Sequence, residues 1–156
     1  MELVPWDTDF KNVDCNAWVF SNGPGDPQNT GDLPKRLAGL LKEKRPVLGI
    51  CLGNQLLGLA CGGTTERLTH GHRGHNQPVY EFGTRRCFMT SQNHGYVVAQ
   101  NSLPNDWQPW FINANDKSIE GIIHSSGLYR GVQFHPEAAG GPCDTEWIFR
   151  DFICQF

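Results

Sequence analysis

The chain has 156 residues, a net charge of −3 and a hydrophobic content of 38%, which is typical of one packed domain rather than a disordered chain. The weak negative charge argues against nucleic-acid binding, and no stretch approaches the roughly 18 apolar residues of a membrane span. No signal or transit peptide is visible at the start of the sequence. We therefore expect a cytoplasmic protein with neither a nucleic-acid nor a membrane partner.

The six cysteines are widely spaced and include no C-x-x-C pair: Cys15, Cys51, Cys61, Cys87, Cys143 and Cys154. Their even number leaves a disulfide framework formally open. A domain of this length can bury a sufficient core without crosslinks, however, and Cys51 and Cys61 lie in apolar stretches. Reduced thiols are therefore the favoured interpretation.

Strand and helix patterns alternate in the first part of the chain. The predicted elements are a possible strand at Leu3–Trp6, a strand at Ala17–Ser21, a helix from Leu33 with Asp32 as its N-cap, a buried strand at Pro46–Ile50 and a short helix at Gln55–Cys61. Glycines and prolines separate these segments and indicate loops. The βαβα order is typical of a parallel sheet with helices on its faces.

Short strand patterns dominate after residue 64. They are Val79–Phe82, Arg86–Ser91, Tyr96–Ala99, Phe111–Asn115, Ile119–His124 and Arg130–Phe134, and a last helix is predicted from Asp144. The fold class predicted from the whole pattern is α/β. We expect three layers, with a mainly parallel sheet, helices on both faces and extra antiparallel strands at one side.

The segment Gly49-Ile50-Cys51-Leu52-Gly53 places a nucleophilic side chain between a predicted strand and a predicted helix. Glycines two residues before and after the nucleophile are the pattern of a nucleophile elbow, here with Cys in place of Ser. The N-terminus of the following helix favours a thiolate and offers backbone N–H groups to an oxyanion. An inert cysteine at a strand end is the alternative.

Two other segments point to the same site. His135 and Glu137 follow a buried strand and, in an extended segment, point the same way, so the carboxylate can orient the imidazole as in a Cys–His–acid triad. Gly23-Pro24-Gly25 follows another strand and should lie at the same carboxyl edge of the sheet, where open α/β sheets bind ligands. A solvated loop histidine and a simple tight turn are the alternatives.

Five motifs occur in a fixed order: Ser21 to Pro27 (SNGPGDP), Gly49 to Gln55 (GICLGNQ), Arg73 to Pro78 (RGHNQP), Ser91 to Tyr96 (SQNHGY) and Val132 to Glu137 (VQFHPE). In this order they resemble the class I (triad-type) glutamine amidotransferases, and closely the glutaminase domain of carbamoyl phosphate synthetase. The third and fourth motifs favour that subfamily, and Arg86–Asn93 is nearest the multifunctional eukaryotic pyrimidine-pathway enzyme. The resemblance spans nearly the whole chain.

The resemblance implies a role for each matching residue. Cys51 would attack the side-chain amide of glutamine and form a thioester, His135 would transfer protons and Glu137 would orient His135. Backbone N–H groups of Leu52 and Gly25 would line the oxyanion site. The positions that would hold glutamine are Gly23, Gln55, Asn93, Gly95 and Tyr96.

The resemblance also implies a flavodoxin-like fold, of which the first strand–helix unit is missing. We therefore expect residues 1–156 to be an N-terminally truncated glutaminase domain, either a fragment or a divergent short form. Asn54 stands where many members of the family have His, a change that we do not expect to abolish activity. His72 stands where an Asn usually precedes Arg-Gly.

The implied partner is the large subunit, or a synthetase domain, of carbamoyl phosphate synthetase, which would combine the ammonia with bicarbonate and ATP for pyrimidine or arginine biosynthesis. No cofactor is expected in this chain, since it has no G-x-x-x-x-G-K-[ST] loop, and ATP and Mg²⁺ would bind the partner. The alternative function is a catalytically inactive amidotransferase-like module with a regulatory or assembly role. The intact Cys51, His135 and Glu137 argue against it.

The remaining histidines offer one candidate metal site. His70, His72 and His75 have an H-x-H-x-x-H spacing, but the family loop that they match has no metal role and no fourth soft ligand lies at a zinc-like spacing. We expect no metal here, and we expect His94 and His124 to be structural.

Overall fold

A computed structural model describes residues 1–84 and 86–156. Its helices and strands, in chain order, are β1 (Trp18–Phe20), α1 (Leu33–Leu41), β2 (Val47–Ile50), α2 (Leu52–Ala60), β3 (Thr65–Glu81), β4 (Cys87–Val98), β5 (Trp107–Asn113), β6 (Ile119–His124), β7 (Tyr129–Val132) and α3 (Trp147–Ile153). Two short 3-10 helices lie at Phe10–Asn12 and Pro27–Asn29. None of the helices in this described part of the chain combines the length and the apolar character that a membrane span requires.

The seven strands form one sheet in the order β1-β2-β7-β6-β5-β3-β4. The pairs β1–β2 and β2–β7 are parallel, whereas the four pairs among β7, β6, β5, β3 and β4 are antiparallel. The predicted α/β class and the antiparallel strands at one side are confirmed. The sheet is nevertheless mixed rather than mainly parallel, because parallel pairing is confined to β1, β2 and β7.

The side chains of β2 point alternately to the two faces of the sheet, and the core accordingly has two layers. Val47 packs with α1 and α2 on one face of the sheet, whereas Leu48 and Ile50 pack on the other face, where Ile148 and Phe152 of α3 lie. Successive side chains of a strand point to opposite faces, so one four-residue strand contributes to both layers. Helices therefore cover both faces, as predicted.

Helix α2 lies unusually close to the sheet because glycines remove the side chains between them. A Cβ on Gly49 would lie 2.5 Å from the carbonyl carbon of Gly53, and a Cβ on Gly53 would lie 2.0 Å from the carbonyl oxygen of Phe20. Side chains at either position would push the helix away. The two glycines that flank Cys51 thus fix how its helix sits on β1 and β2.

Strands β3 and β4 differ most from the prediction. The predicted strand Val79–Phe82 is only the end of a 17-residue strand, and the predicted strands Arg86–Ser91 and Tyr96–Ala99 are parts of one continuous strand. Most side chains in the first part of β3 are polar and exposed, and two register shifts interrupt its pairing with β4. A strand of this kind has no apolar alternation by which it could be recognised.

The other predicted element boundaries differ less from the structure. Leu3–Trp6 forms no strand, β5 begins four residues before the predicted Phe111, and β7 ends before Gln133. Helix α3 begins at Trp147 rather than near Asp144, whose carboxylate accepts a hydrogen bond from the backbone N–H of Met89. None of the six cysteines is paired in a disulfide in the structure.

Because α2 lies so close to the sheet, a Gly→Ala substitution should change the free energy of unfolding in opposite directions in α2 and in α1. Gly53→Ala should lower the free energy of unfolding by about 1–3 kcal/mol or more, because the added methyl group meets the Phe20 carbonyl. Gly39→Ala, in α1, should raise it by about 0.4–1 kcal/mol, because the added carbon meets no described atom within 4 Å beyond its chain neighbours and its own helix backbone. Urea unfolding of both variants measures the difference. Equal changes in the free energy of unfolding would contradict the close packing of α2 on the sheet.

Candidate active site

Cys51 occupies the single residue between β2 and α2. Its backbone angles, φ 54° and ψ −102°, lie in a region that side-chain-bearing residues rarely adopt. Its N–H donates a hydrogen bond to the carbonyl oxygen of Val132 at 2.8 Å, which extends the pairing of β2 with β7 by one residue. This strained turn is the predicted nucleophile elbow, and it directs the side chain to the carboxyl edge of the sheet.

His135 reaches the same edge from the neighbouring strand. It follows β7 by three residues, and its backbone N–H donates to the carbonyl oxygen of Ser91 on β4 at 2.9 Å. Cys51 and His135 both line a cavity of about 780 Å³, a size common for small-molecule sites. The structure therefore brings together two residues that are 84 positions apart in the sequence.

Glu137 completes the arrangement from outside the cavity. Its carboxylate lies 2.8 Å from Nδ1 of His135. Hydrogen bonding with Cys51 and then with Glu137 raises the pKa of His135 to about 10, although burial opposes this. Burial alone would raise the pKa of Glu137, but the hydrogen bond with His135 contributes to a net lowering. At neutral pH the pair is therefore an imidazolium and a carboxylate.

Most of the predicted substrate positions line the cavity: Gly23, Gly25, Gln55, Asn93, Gly95 and Tyr96. Leu52 is not part of this lining. It is the first residue of α2, where backbone N–H groups lack intrahelical partners, and its side chain packs against Gly23. Gly25 has a φ of +94°, a conformation that favours glycine.

Two kinds of residue in this region were not predicted from the sequence. Arg67 and Arg73 contribute to the cavity wall from β3, a part of the strand that the apolar pattern did not reveal. Gln133, fully buried, directs its side-chain Nε2 at the sulfur of Cys51, 3.7 Å away. The signal for Gln133 was available, because a residue two positions before His135 in an extended segment points the same way.

Nearly the whole chain matches a family of known proteins. Residues 1–154 match the sequence family described as glutamine amidotransferase class-I. The chain belongs to this family. This confirms the resemblance to the class I glutamine amidotransferases that was inferred from the five motifs.

Similar proteins include the multifunctional protein URA2 of Saccharomyces cerevisiae, 49% identical over 98% of this amidotransferase chain and 7% of that protein. The multifunctional protein CAD of Squalus acanthias is 47% identical over 97% of the chain and 7% of its own length. The carbamoyl phosphate synthase arginine-specific small chain of Emericella nidulans is 50% identical over 86% of the chain and 30% of that protein. The chain thus spans less than a third of each of these relatives.

Solved structures show the same amidotransferase fold. A protein described as a GMP synthase component, from Thermoplasma acidophilum, superposes with a TM-score of 0.83 at 25% identity, covering 98% of this chain and 79% of that one. A glutamine amidotransferase from Thermotoga maritima gives a TM-score of 0.63 at 20% identity, covering 88% and 63%. The second likeness concerns the fold alone.

A charged cluster anchors the wall of the cavity. The two ring nitrogens of His72 lie 2.8 Å from a carboxylate oxygen of Glu120 and 2.8 Å from one of Asp116. The hydrogen bond with Glu120 is the largest cause that raises the pKa of His72 to about 9. Asn113 also donates to Glu120. Because His72 and Arg73 are adjacent on β3, this cluster ties the cavity wall to β6 and to the turn before it.

The same cluster contains the set of side chains best placed to share a metal ion among the described residues. Ring nitrogens of His72 and His94 and a carboxylate oxygen of Glu120 lie within 4.8 Å of one another. This set differs from the predicted spacing, since His70 and His75 take no part. A protonated His72 between two carboxylates accounts for the geometry, because both of its N–H groups are then used.

The raised pKa of His72 predicts a pH-dependent contribution to stability. The folded protein holds this proton more tightly than the unfolded chain, so the contribution is complete below pH 6.5 and is lost as the pH rises through about 9. The unfolding free energy of the native chain minus that of His72→Gln should therefore fall between pH 6.5 and 9. Asp116→Asn removes one carboxylate and should move this fall to lower pH. Parallel stability curves for the native chain and His72→Gln would contradict the assignment.

Proposed function

We propose that this chain is a glutaminase, which hydrolyses glutamine to glutamate and ammonia through a thioester on Cys51. The observation that carries the proposal is that the elbow cysteine and the His135 imidazolium line one cavity, while the Glu137 carboxylate orients the imidazolium from outside it. An amide is a poor electrophile, so its cleavage needs a strong nucleophile, a proton donor and a site for the oxyanion. These are the functions that this arrangement can supply.

In the first half of the reaction, the sulfur of Cys51 attacks the side-chain carbonyl carbon of glutamine. The C–N bond breaks after the tetrahedral intermediate forms, and His135 gives its proton to the departing nitrogen, which leaves as ammonia. The product on the enzyme is a γ-glutamyl thioester. Glu137 keeps Nδ1 of the ring occupied, so the other ring nitrogen is directed to the reaction.

In the second half, the neutral His135 accepts a proton from water while the water oxygen attacks the thioester carbon. The C–S bond then breaks, glutamate leaves, and the free sulfur of Cys51 and the protonated His135 are restored. We propose that the backbone N–H groups of Leu52 and Gly25 bind the oxyanion in both halves. Loss of one such donor costs about 10²–10³ in rate in other acyl-transfer enzymes.

We propose that glutamine lies along the cavity between the first glycine-rich loop and β4. The polar frame comprises Gly23, Gln55, Asn93, Gly95 and Tyr96. Such a frame is needed because the charged ends of an amino acid must be paired once they leave water. Arg67 and Arg73 also line the cavity, from the strand β3 that pairs with β4, and their cationic side chains favour an anionic group there.

The partner proposal rests on the relatives. Two of them are multifunctional proteins, and one is a carbamoyl phosphate synthase small chain. We propose that the ammonia passes to a synthetase subunit or domain, which forms carbamoyl phosphate and binds the ATP and Mg²⁺ that the step requires. The sequence of this chain supports that division, since it contains no P-loop motif.

A glutamine analogue with a diazo ketone in place of the amide should label Cys51 covalently. The expected result is one adduct per chain on the peptide that contains Cys51, found by mass spectrometry, and none in Cys51→Ala. Cys61→Ala is the matched control, because it removes a thiol at the other end of α2, and it should label like the native chain. A folded native chain that takes no label would favour the inactive-module alternative.

Replacement of the proposed proton carrier should affect turnover rather than binding. In His135→Asn, kcat for glutamate formation should fall by about 10²–10⁴, with KM little changed. His124→Asn, which alters a histidine outside the cavity, should leave both constants as they are. A rise in KM alone in His135→Asn would show that this residue binds substrate instead of moving protons.

A further inference from the structure

We propose that Gln133 is a positioning residue that holds the sulfur of Cys51 by a hydrogen bond from its NH₂ and connects it to the glutamine pocket. The inference deepens the proposed glutaminase function and rests on it for the identity of the ligand. The placement of the amide beside the sulfur is independent of that function. Gln133 has no accessible surface and lies between the elbow and helix α2.

The orientation of the Gln133 amide follows from a chain of hydrogen bonds that begins at a backbone carbonyl. The carbonyl oxygen of Tyr96 can only accept, so the side-chain group of Gln55 that lies 2.8 Å from it must be the NH₂. The same NH₂ lies 3.2 Å from Gln133, which must therefore present its oxygen. Asn54 donates to that oxygen as well, at 3.4 Å.

Because the side-chain oxygen of Gln133 accepts from Gln55 and Asn54, its NH₂ must point at the sulfur. The distance from Nε2 to Sγ of Cys51 is 3.7 Å, which is within the range of hydrogen bonds to sulfur. An N–H donor favours a thiolate over a thiol, because the bond to a charged acceptor is the stronger one. The sulfur is thus placed between the His135 imidazolium and a buried amide donor.

The network also reaches the ligand. Gln55 lines the cavity, and among the described residues both hydrogen bonds of its NH₂ run inward, to Tyr96 and Gln133. Its Oε1 is thereby left for a donor in the cavity, such as the ammonium group of an amino acid. A ligand bound there is connected to the nucleophile through two side-chain amides, those of Gln55 and Gln133, so its binding can orient Gln133 and with it the sulfur.

Neither a carboxylate nor an apolar side chain can replace this amide. In Gln133→Glu, the volume and the acceptor for Gln55 remain, but an acceptor faces the sulfur in place of a donor and repels the thiolate. In Gln133→Met, the volume is similar and neither polar function remains. The two variants therefore separate the donor from the packing.

The test is the pH dependence of Cys51 alkylation by iodoacetamide in the full chain, followed on the Cys51 peptide by mass spectrometry. We expect the midpoint of the rate profile to rise by about one pH unit in Gln133→Met, with roughly ten-fold slower alkylation below the midpoint, since a hydrogen bond to a charged group contributes about that much. Gln133→Glu should shift further in the same direction.

Gln92→Met is the matched control, because Gln92 is a buried glutamine whose side-chain hydrogen bonds among the described residues are with Thr90 and His94 rather than with Cys51. It should lose thermal stability to a degree similar to Gln133→Met while its alkylation profile stays at the native midpoint. A native profile in either Gln133 variant overturns the proposal. A shift in the Gln92 control of the same size overturns it too, since the effect would then be one of general loosening.

This readout separates the proposal from the proposed function. Iodoacetamide needs no glutamine site, so the profile reports on the sulfur even in a chain that hydrolyses nothing. If the diazo ketone fails to label while the alkylation shift is present, the function is wrong and the role of Gln133 stands. If the label attaches and the shift is missing, the function stands and the role of Gln133 is wrong.

Discussion

The parallel pairing of β2 with β7 is the constraint on which the site depends. Ile50 lies opposite Val132, and the next N–H along β2, that of Cys51, donates to the Val132 carbonyl. Two strands that run in the same direction end at the same edge of the sheet, so the residues that follow them must meet. One pairing therefore brings the elbow cysteine beside both Gln133 and His135, and the strain in the elbow is sustained by packing on both faces of β2.

The sequence was most informative where local chemistry and burial agree. Glycines around Cys51 predicted the turn and its helix, and the spacing of His135 and Glu137 predicted their contact, because both features are local. The long strands that form the cavity wall could not be found in this way. Their side chains are largely polar and their pairing is irregular, so apolar periodicity carries no signal there. Arg67 and Arg73 were missed as cavity residues for the same reason.

Buried polar groups were the other feature that the sequence did not reveal. Glu120 sits in an apolar run, and nothing in that run shows that its partner is His72, 48 positions earlier. A buried carboxylate is tolerated only when charges and donors compensate for lost hydration. The pairing therefore depends on a tertiary contact between β3 and β6, which neither segment specifies alone. The same applies to the contact of Gln55 with Gln133, which joins a helix to the segment after a distant strand.

Asn54 shows how the family pattern can change while a hydrogen bond to the oxygen of Gln133 is kept. What the network requires of this position is one N–H donor to the oxygen of Gln133, and the asparagine NH₂ supplies it. A histidine, which many members of the family have here, also carries a ring N–H and can meet the same requirement. The substitution has a cost, because the Asn54 carbonyl oxygen is buried with no hydrogen-bond partner among the described residues. Gly131 faces that oxygen, and a Cβ there would lie only 2.5 Å away, so the neighbouring strand leaves room for the asparagine but offers it no donor. The donor function at residue 54, rather than the residue type, is therefore what the buried amide network requires.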